Sequence, residues 1–109
     1  MAEALKVLGQ VDAPATTLTA LYTVPGSTSV TVSTLSVCNR NAALRTFRVS
    51  VAVGGASDDP KQYIVYDMQL LGNDSVFLTI GITLAATDVV RVYASDTGLS
   101  FGLFGVEVS

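Results

Sequence analysis

The stretch Val30-Thr-Val-Ser-Thr-Leu-Ser-Val37, then Cys38-Asn-Arg-Asn-Ala-Ala-Leu-Arg45, then Thr46-Phe-Arg-Val-Ser-Val-Ala-Val53 decides the fold class. Two runs rich in valine and threonine keep a two-residue rhythm on either side of the polar bend Asn39-Arg40-Asn41. A period of two puts alternate side chains on opposite faces of a strand, and β-branched residues suit that pleated surface. Asparagine accepts left-handed backbone and bonds its own main chain, so the bend reads as a reversal between antiparallel partners. Phe47, Val49, Val51 and Val53 alternate strictly against Arg48, Ser50 and Ala52, which predicts one buried and one solvated face. Within the first run the apolar phase slips by one between Val32 and Leu35, and a β-bulge near Ser33-Thr34 accounts for it.

Upstream, Leu18 to Val24 forms a further strand ending at Pro25-Gly26, where proline presets φ and glycine tolerates positive φ. Downstream, Gly54-Gly55-Ala56-Ser57-Asp58-Asp59-Pro60 reads as a long exposed loop. Gln62 to Leu70 resumes a strand with Ile64, Tyr66 and Met68 on one face, closed by Leu71-Gly72-Asn73-Asp74. Val76, Leu78, Ile80 and Ile82 alternate again, with Gly81 as a bulge or close-approach point. Val89 to Ala94, the turn Ser95-Asp96-Thr97-Gly98 and a last strand holding Leu99, Phe101 and Leu103 complete the chain. No segment sustains a 3.6-residue period. The reading is an all-β antiparallel β-sandwich, jelly-roll-like, with seven or eight strands. Residues 1–15 are expected to form an N-terminal arm, with an edge strand or frayed end as the plainer alternative. Residues 16–109 are expected to form a single β-sandwich domain.

A chain of 109 residues supports one domain that buries roughly two thirds of its unfolded surface. Half of the residues are apolar and 14% are charged. So few charges hint at a surface that meets a partner, although serine, threonine and glycine also make a neutral polar exterior. The net charge of −3 comes without any lysine/arginine cluster, which argues against nucleic acid, whose phosphates attract positive charge. No apolar run is long enough to span a bilayer, and the N-terminus lacks the pattern of a secretion signal, so no membrane partner is expected and the chain is expected to fold in a cytoplasm. Cys38 has no second cysteine to pair with, and its neighbours Leu35 and Val37 suggest a buried, inert thiol.

Candidate chemistry is sparse. Asp58-Asp59 beside Gly54-Gly55 offers oxygens for a hard cation, but the spacing fits no cation loop well, and solvated turn residues explain it. Asp67, Asp74, Asp88 and Asp96 supply carboxylates of the kind used in paired acid–base hydrolysis, yet all except Asp67 sit in predicted turns. Histidine, the usual base near neutral pH, is absent. No catalytic residue, metal or cofactor is therefore expected. Tyr22, Tyr63, Tyr66 and Tyr93 with Phe47, Phe77, Phe101 and Phe104 are expected as cross-strand core pairs, or as a platform for sugars or bases. Tyr63 and Tyr66 are expected on opposite faces of one strand, and Phe77 is out of phase with Val76 and Leu78, so at least one aromatic should face outward, as at a protein interface.

Leu21-Tyr-Thr-Val-Pro-Gly26, Leu35-Ser-Val-Cys-Asn-Arg40, Thr46-Phe-Arg-Val49, Gln62-Tyr-Ile-Val-Tyr-Asp67 and the run Gly81 to Ala94 together resemble short proteins encoded among tailed-bacteriophage structural genes. The resemblance spans about Leu18 to Val108. It implies a compact β domain that decorates or cements a virion surface, or one that sits on a tail or fibre, and it implies no catalytic residue. The resulting expectation is a capsid decoration or cement protein of the virion, made in the host cytoplasm, which clusters as a homotrimer and clamps the major capsid protein by binding alone. A tail, baseplate or fibre component, acting as adaptor or host-surface binding module, is the alternative. Intersubunit contacts are expected from the N-terminal segment, through Ala2, Leu5, Val7, Leu8 and Val11, and from the loop at Ser57, Asp58, Asp59 and Pro60.

Overall fold

The computed structural model describes residues 2–109, so Met1 of the expected arm lies outside the described residues. Nine strands follow in chain order: β1 Glu3–Asp12, β2 Thr19–Thr23, β3 Ser29–Asn39, β4 Arg45–Ala52, β5 Tyr63–Leu70, β6 Ser75–Leu78, β7 Ile82–Leu84, β8 Val89–Ala94 and β9 Leu99–Val108. All strand pairs are antiparallel. One sheet has the order β1-β9-β3-β6, with β7 also on β3, and the other has the order β2-β8-β4-β5. Successive strands alternate between the sheets except at β4 and β5, which pair within one sheet, and at β6 and β7, which share one position along β3. This is the jelly-roll order, and it places β3 and β4, expected as partners across the Asn39-Arg40-Asn41 bend, in different sheets.

The count is nine where the sequence pattern suggested seven or eight. Two local causes explain it. Residues 3–12 make a full edge strand along β9. The run expected as one strand from Val76 to Ile82 breaks at Gly81, whose φ of 54° belongs to the left-handed region.

The core lies between the sheets. Val30, Val32, Leu35 and Val37 of β3 and Leu99, Phe101 and Leu103 of β9 face Phe47 and Val49 of β4 and Val90 and Val92 of β8, all essentially inaccessible to water. Phe47 and Phe101 meet edge to face across the gap, 6.0 Å between ring centres. Each such side chain contributes about 1.5–3 kcal/mol relative to exposure. The β3 bulge stands where the phase slip placed it: the ladder to β9 jumps from Val32 to Thr34, and the Ser33 hydroxyl donates to the Phe104 carbonyl.

Several local expectations need correction. At Pro25-Gly26 the positive φ falls on Ser27, at 57°, and not on the glycine. Val53 leaves the alternation of β4 and is 75% exposed, because it starts a short 3-10 turn over Val53–Gly55. The outer face of β4 is not fully solvated: Ser50 and Ala52 are buried. The loop after β4 folds back over this end of the sheet, held by the Arg91 guanidinium donating to the Ala56 and Gly55 carbonyls. Asp88 fixes its start, one carboxylate oxygen accepting from the Gly54 amide and the other from the Ala85 amide.

In β5 the shifted register decides which side chains meet the core. Val65, not Ile64 or Tyr66, pairs with core residue Val49 and packs on the core, while Ile64, Tyr66 and Met68 are exposed. Both residue sets are apolar enough to read as core, and only the register decides between them. Cys38, expected buried, is half-buried on the outer face beside Ser75 and Ser100.

Candidate functional site

Two surfaces concentrate side chains that the fold itself does not consume. The first is the outer face of the five-stranded sheet. Ladder register assigns it row by row: Leu5, Val106, Thr31 and Thr83 form one row, Val7, Phe104 and Thr34 the next, and Gln10, Gly102, Ser36 and Phe77 a third. None of these side chains is charged. Leu5 is 84% exposed and Phe77 70%. Gly102 matters to the shape of this face, since a Cβ there would stand 3.1 Å from the Phe104 ring. The missing side chain leaves room for that ring beside the strand.

The same sheet ends in an open edge. β1 pairs on one side only, with β9. Of the residues expected to make contacts there, Leu5 and Val7 point outward, and Ala2 is exposed with its backbone bonded to Ser109. Leu8 and Val11 turn inward onto the core, because alternation and the shift between Val7 and Gly9 place them there. The sequence signal for Phe77 was its phase against Val76 and Leu78. Phe104 and Val106 carried no such signal, since strands of either face would show them.

The second surface lies on the outside of the four-stranded sheet. Arg48, Asp58, Pro60, Tyr63 and Tyr66 line an open cleft of about 490 Å³. The Arg48 guanidinium stacks 4.2 Å from the centre of the Tyr66 ring and 4.5 Å from that of Tyr93. Its Nε donates to Asp67 at 2.6 Å and a terminal nitrogen donates to the other carboxylate oxygen at 3.3 Å. This fork, before any other influence, strengthens the hold of Arg48 on its proton. Tyr63 and Tyr66, expected on opposite faces, meet edge to face at 5.2 Å. Shifts in the β4·β5 register, between Phe47 and Val49 and again between Val49 and Ser50, break the alternation that would have separated them. Asp67 takes a φ of 53° at that irregularity. Burial first, then hydrogen bonding to Asp58, pushes the Tyr63 phenol up.

Ser57, Asp58, Asp59 and Pro60 are all exposed, and of these Asp58 and Pro60 line the cleft. Asp59 caps the following turn by accepting from the Lys61 amide, and Gln62 donates to the Ser57 carbonyl. These residues belong to the β4–β5 connection, whereas Leu5 and Val7 belong to the opposite edge of the other sheet. The two expected contact groups are therefore not brought together.

The remaining candidate carboxylates all have structural partners. Asp74 accepts from the Ser75 amide, Asp88 from the two amides named above, and Asp96 from the Thr97 amide while facing Arg45 at 3.6 Å. Among the described residues no three histidine, cysteine, aspartate or glutamate side chains gather as a metal site would require, and no helix is long and apolar enough to cross a membrane. No protein-family model matches the chain, and no curated protein matches it in sequence.

Proposed function

We propose that this chain is a structural binding protein of a tailed-bacteriophage virion, a decoration or cement protein that fastens neighbouring subunits of the capsid shell. The observation that carries the binding role is the outer face of the β1-β9-β3-β6 sheet, uncharged over three consecutive rows and bearing Leu5, Val7, Phe77 and Phe104. Isolated proteins rarely leave such a continuous uncharged and partly apolar face to water without using it. The virion setting comes from the resemblance across Leu18 to Val108, and the major capsid protein is the partner that resemblance implies. Cementing then works by mass action: a protein that binds the assembled shell and not its separated subunits stabilises the shell by its binding free energy. Shells carrying the protein should rupture at a higher temperature than shells without it. Substituting Phe77→Asp, which places a charge mid-face, should remove the difference, and equal rupture temperatures for bare and coated shells would refute the cement role.

The tail or fibre reading gains support from the other surface. Tyr66 is 60% exposed, its ring propped by Arg48, at a cleft with polar groups converging on it. Arg48 is neutralised by Asp67, and Asp58 adds a negative charge, so the cleft suits a neutral polyhydroxyl ring better than a phosphate. A host-surface module would bind neutral disaccharides, and Tyr66→Ala would abolish the binding. Immunogold labelling of whole particles separates the placements: label confined to tails ends the cement proposal, and label over the shell ends this one.

A further inference from the structure

We propose that the open edge of β1 pairs, antiparallel, with the same edge of a second copy of this chain, with Leu5 opposite Leu5 of that copy. Backbone parity comes first. Ala2 and Ser109 exchange both of their amide hydrogen bonds, each at 2.9 Å. Antiparallel ladders alternate bonded and non-bonded pairs. With Glu3 opposite Val108, Ala4 opposite Glu107 and so on to Val7 opposite Phe104, Ala4 and Lys6 therefore direct their N–H and C=O groups to β9. Glu3, Leu5 and Val7 direct theirs away from the molecule, unpaired.

The other edges are poorer templates. β2 has five residues, β6 four and β7 three, and β5 is broken by two register shifts and the left-handed Asp67. Proteins protect exposed edges by such shortness, bulges, prolines and charges. β1 has ten residues and no proline, and its register is unbroken from Glu3 to Val7.

Three constraints select the register. Only outward-facing residues exchange bonds, so an odd-numbered residue must meet an odd-numbered one. The straight part of the edge runs from Ala2 to the irregularity before Gly9, and Leu5 is its midpoint. A register centred on Lys6 would set Lys6 against Lys6 of the second copy, and like charges directly opposite repel. With Leu5 on the axis, Glu3 meets Val7 of the second copy. Lys6 of that copy meets Ala4, which shares its ladder row with Glu107. That carboxylate already accepts from Tyr22 and from its own Lys6, so a second ammonium falls beside a negative charge. The Leu5-Val106-Thr31 row would then run on into the same row of the second copy, joining the two uncharged faces.

Two antiparallel edges related in this way have two-fold symmetry, so the assembly is a dimer in place of the expected trimer. The pairing belongs to the free chain and goes beyond the virion proposal: it holds whatever the face is attached to. Leu5→Cys and Val7→Cys, each made in Cys38→Ser, test it under mild oxidation. Cα atoms of a bonded antiparallel pair lie about 5.5 Å apart, within disulfide reach. The two Val7 positions would be four residues apart along the strand, roughly 13 Å, and out of reach. Leu5→Cys should cross-link nearly completely and Val7→Cys should form no disulfide between copies. Light scattering should give the unmodified chain twice the monomer mass. Leu5→Lys, at a site 84% exposed, should restore the monomer mass with an unchanged circular dichroism spectrum. A monomeric or trimeric unmodified chain, or Val7→Cys cross-linking as readily as Leu5→Cys, overturns the pairing.

Discussion

Asn39 spends its side chain entirely inside the protein. Its amide nitrogen donates to the carbonyls of Ala43, Leu70 and Leu71, and its oxygen accepts from the Asn41 amide, which ties the bend after β3 to the end of β5. The sequence showed the turn chemistry of Asn39 and Asn41 but not the reach to Leu70, which is a contact between distant segments. Asn39→Ala strips partners from buried carbonyls and leaves a cavity, so a loss of about 3 kcal/mol is expected in urea unfolding. A loss below about 0.5 kcal/mol would show that water replaces the side chain. Glu107 gives a pH-dependent counterpart. The Tyr22 hydroxyl, and after it Lys6, hold its carboxyl below the ordinary glutamate range. A carboxyl with a lowered folded pKa adds stability that is complete above its unfolded value, about 4.3, and lost as pH falls through the folded value. The melting temperature should therefore fall more steeply on acidification below about pH 4.3 in the native chain than in Glu107→Gln. Parallel curves would mean that the Tyr22 and Lys6 contacts do not hold in solution.

At the scale of elements, β1 is positioned by a close approach as well as by its ladder. A Cβ on Gly9 would lie 2.2 Å from the Leu21 carbonyl oxygen, so the two sheets touch backbone to backbone at that corner. Gly9→Ala should lift the second half of β1 and cost about 2 kcal/mol or more. Amide exchange should then lose protection in β1 before β3 or β9. Protection unchanged in β1 would mean that β2 moves instead. Strands β3, β8 and β9 were legible because their apolar phase matches the core phase, and the β3 bulge was legible because apolar residues mark the phase on both sides of it. β5 was not, since Tyr63, Ile64, Val65, Tyr66 and Met68 offer apolar groups to both faces. Its bulges then bring Tyr63 and Tyr66 to one side, where Arg48 joins them. The cleft was thus written in the composition of β4 and β5, and hidden by a register that no local pattern encodes.

The whole molecule is an elongated sandwich of 45 × 27 × 19 Å whose first strand pairs with its last. Closing such distant pairs must precede most of the stabilising contacts, so folding should take milliseconds to seconds in stopped-flow experiments. A microsecond phase carrying the full amplitude would contradict this sandwich topology. The amino-acid order alone determined the two-residue rhythm, the turns at Asn39-Arg40-Asn41 and Ser95 to Gly98, and hence an antiparallel all-β chain, because alternation and turn chemistry act between residues near in sequence. The tertiary structure alone decided that Glu3–Asp12 lies along β9, that Val65 rather than Tyr66 faces inward, and that Leu5, Val7, Phe77 and Phe104 share one uncharged face. Those outcomes depend on which distant strand supplies the partner and on what covers each face, and a two-residue period reads the same whichever side meets water.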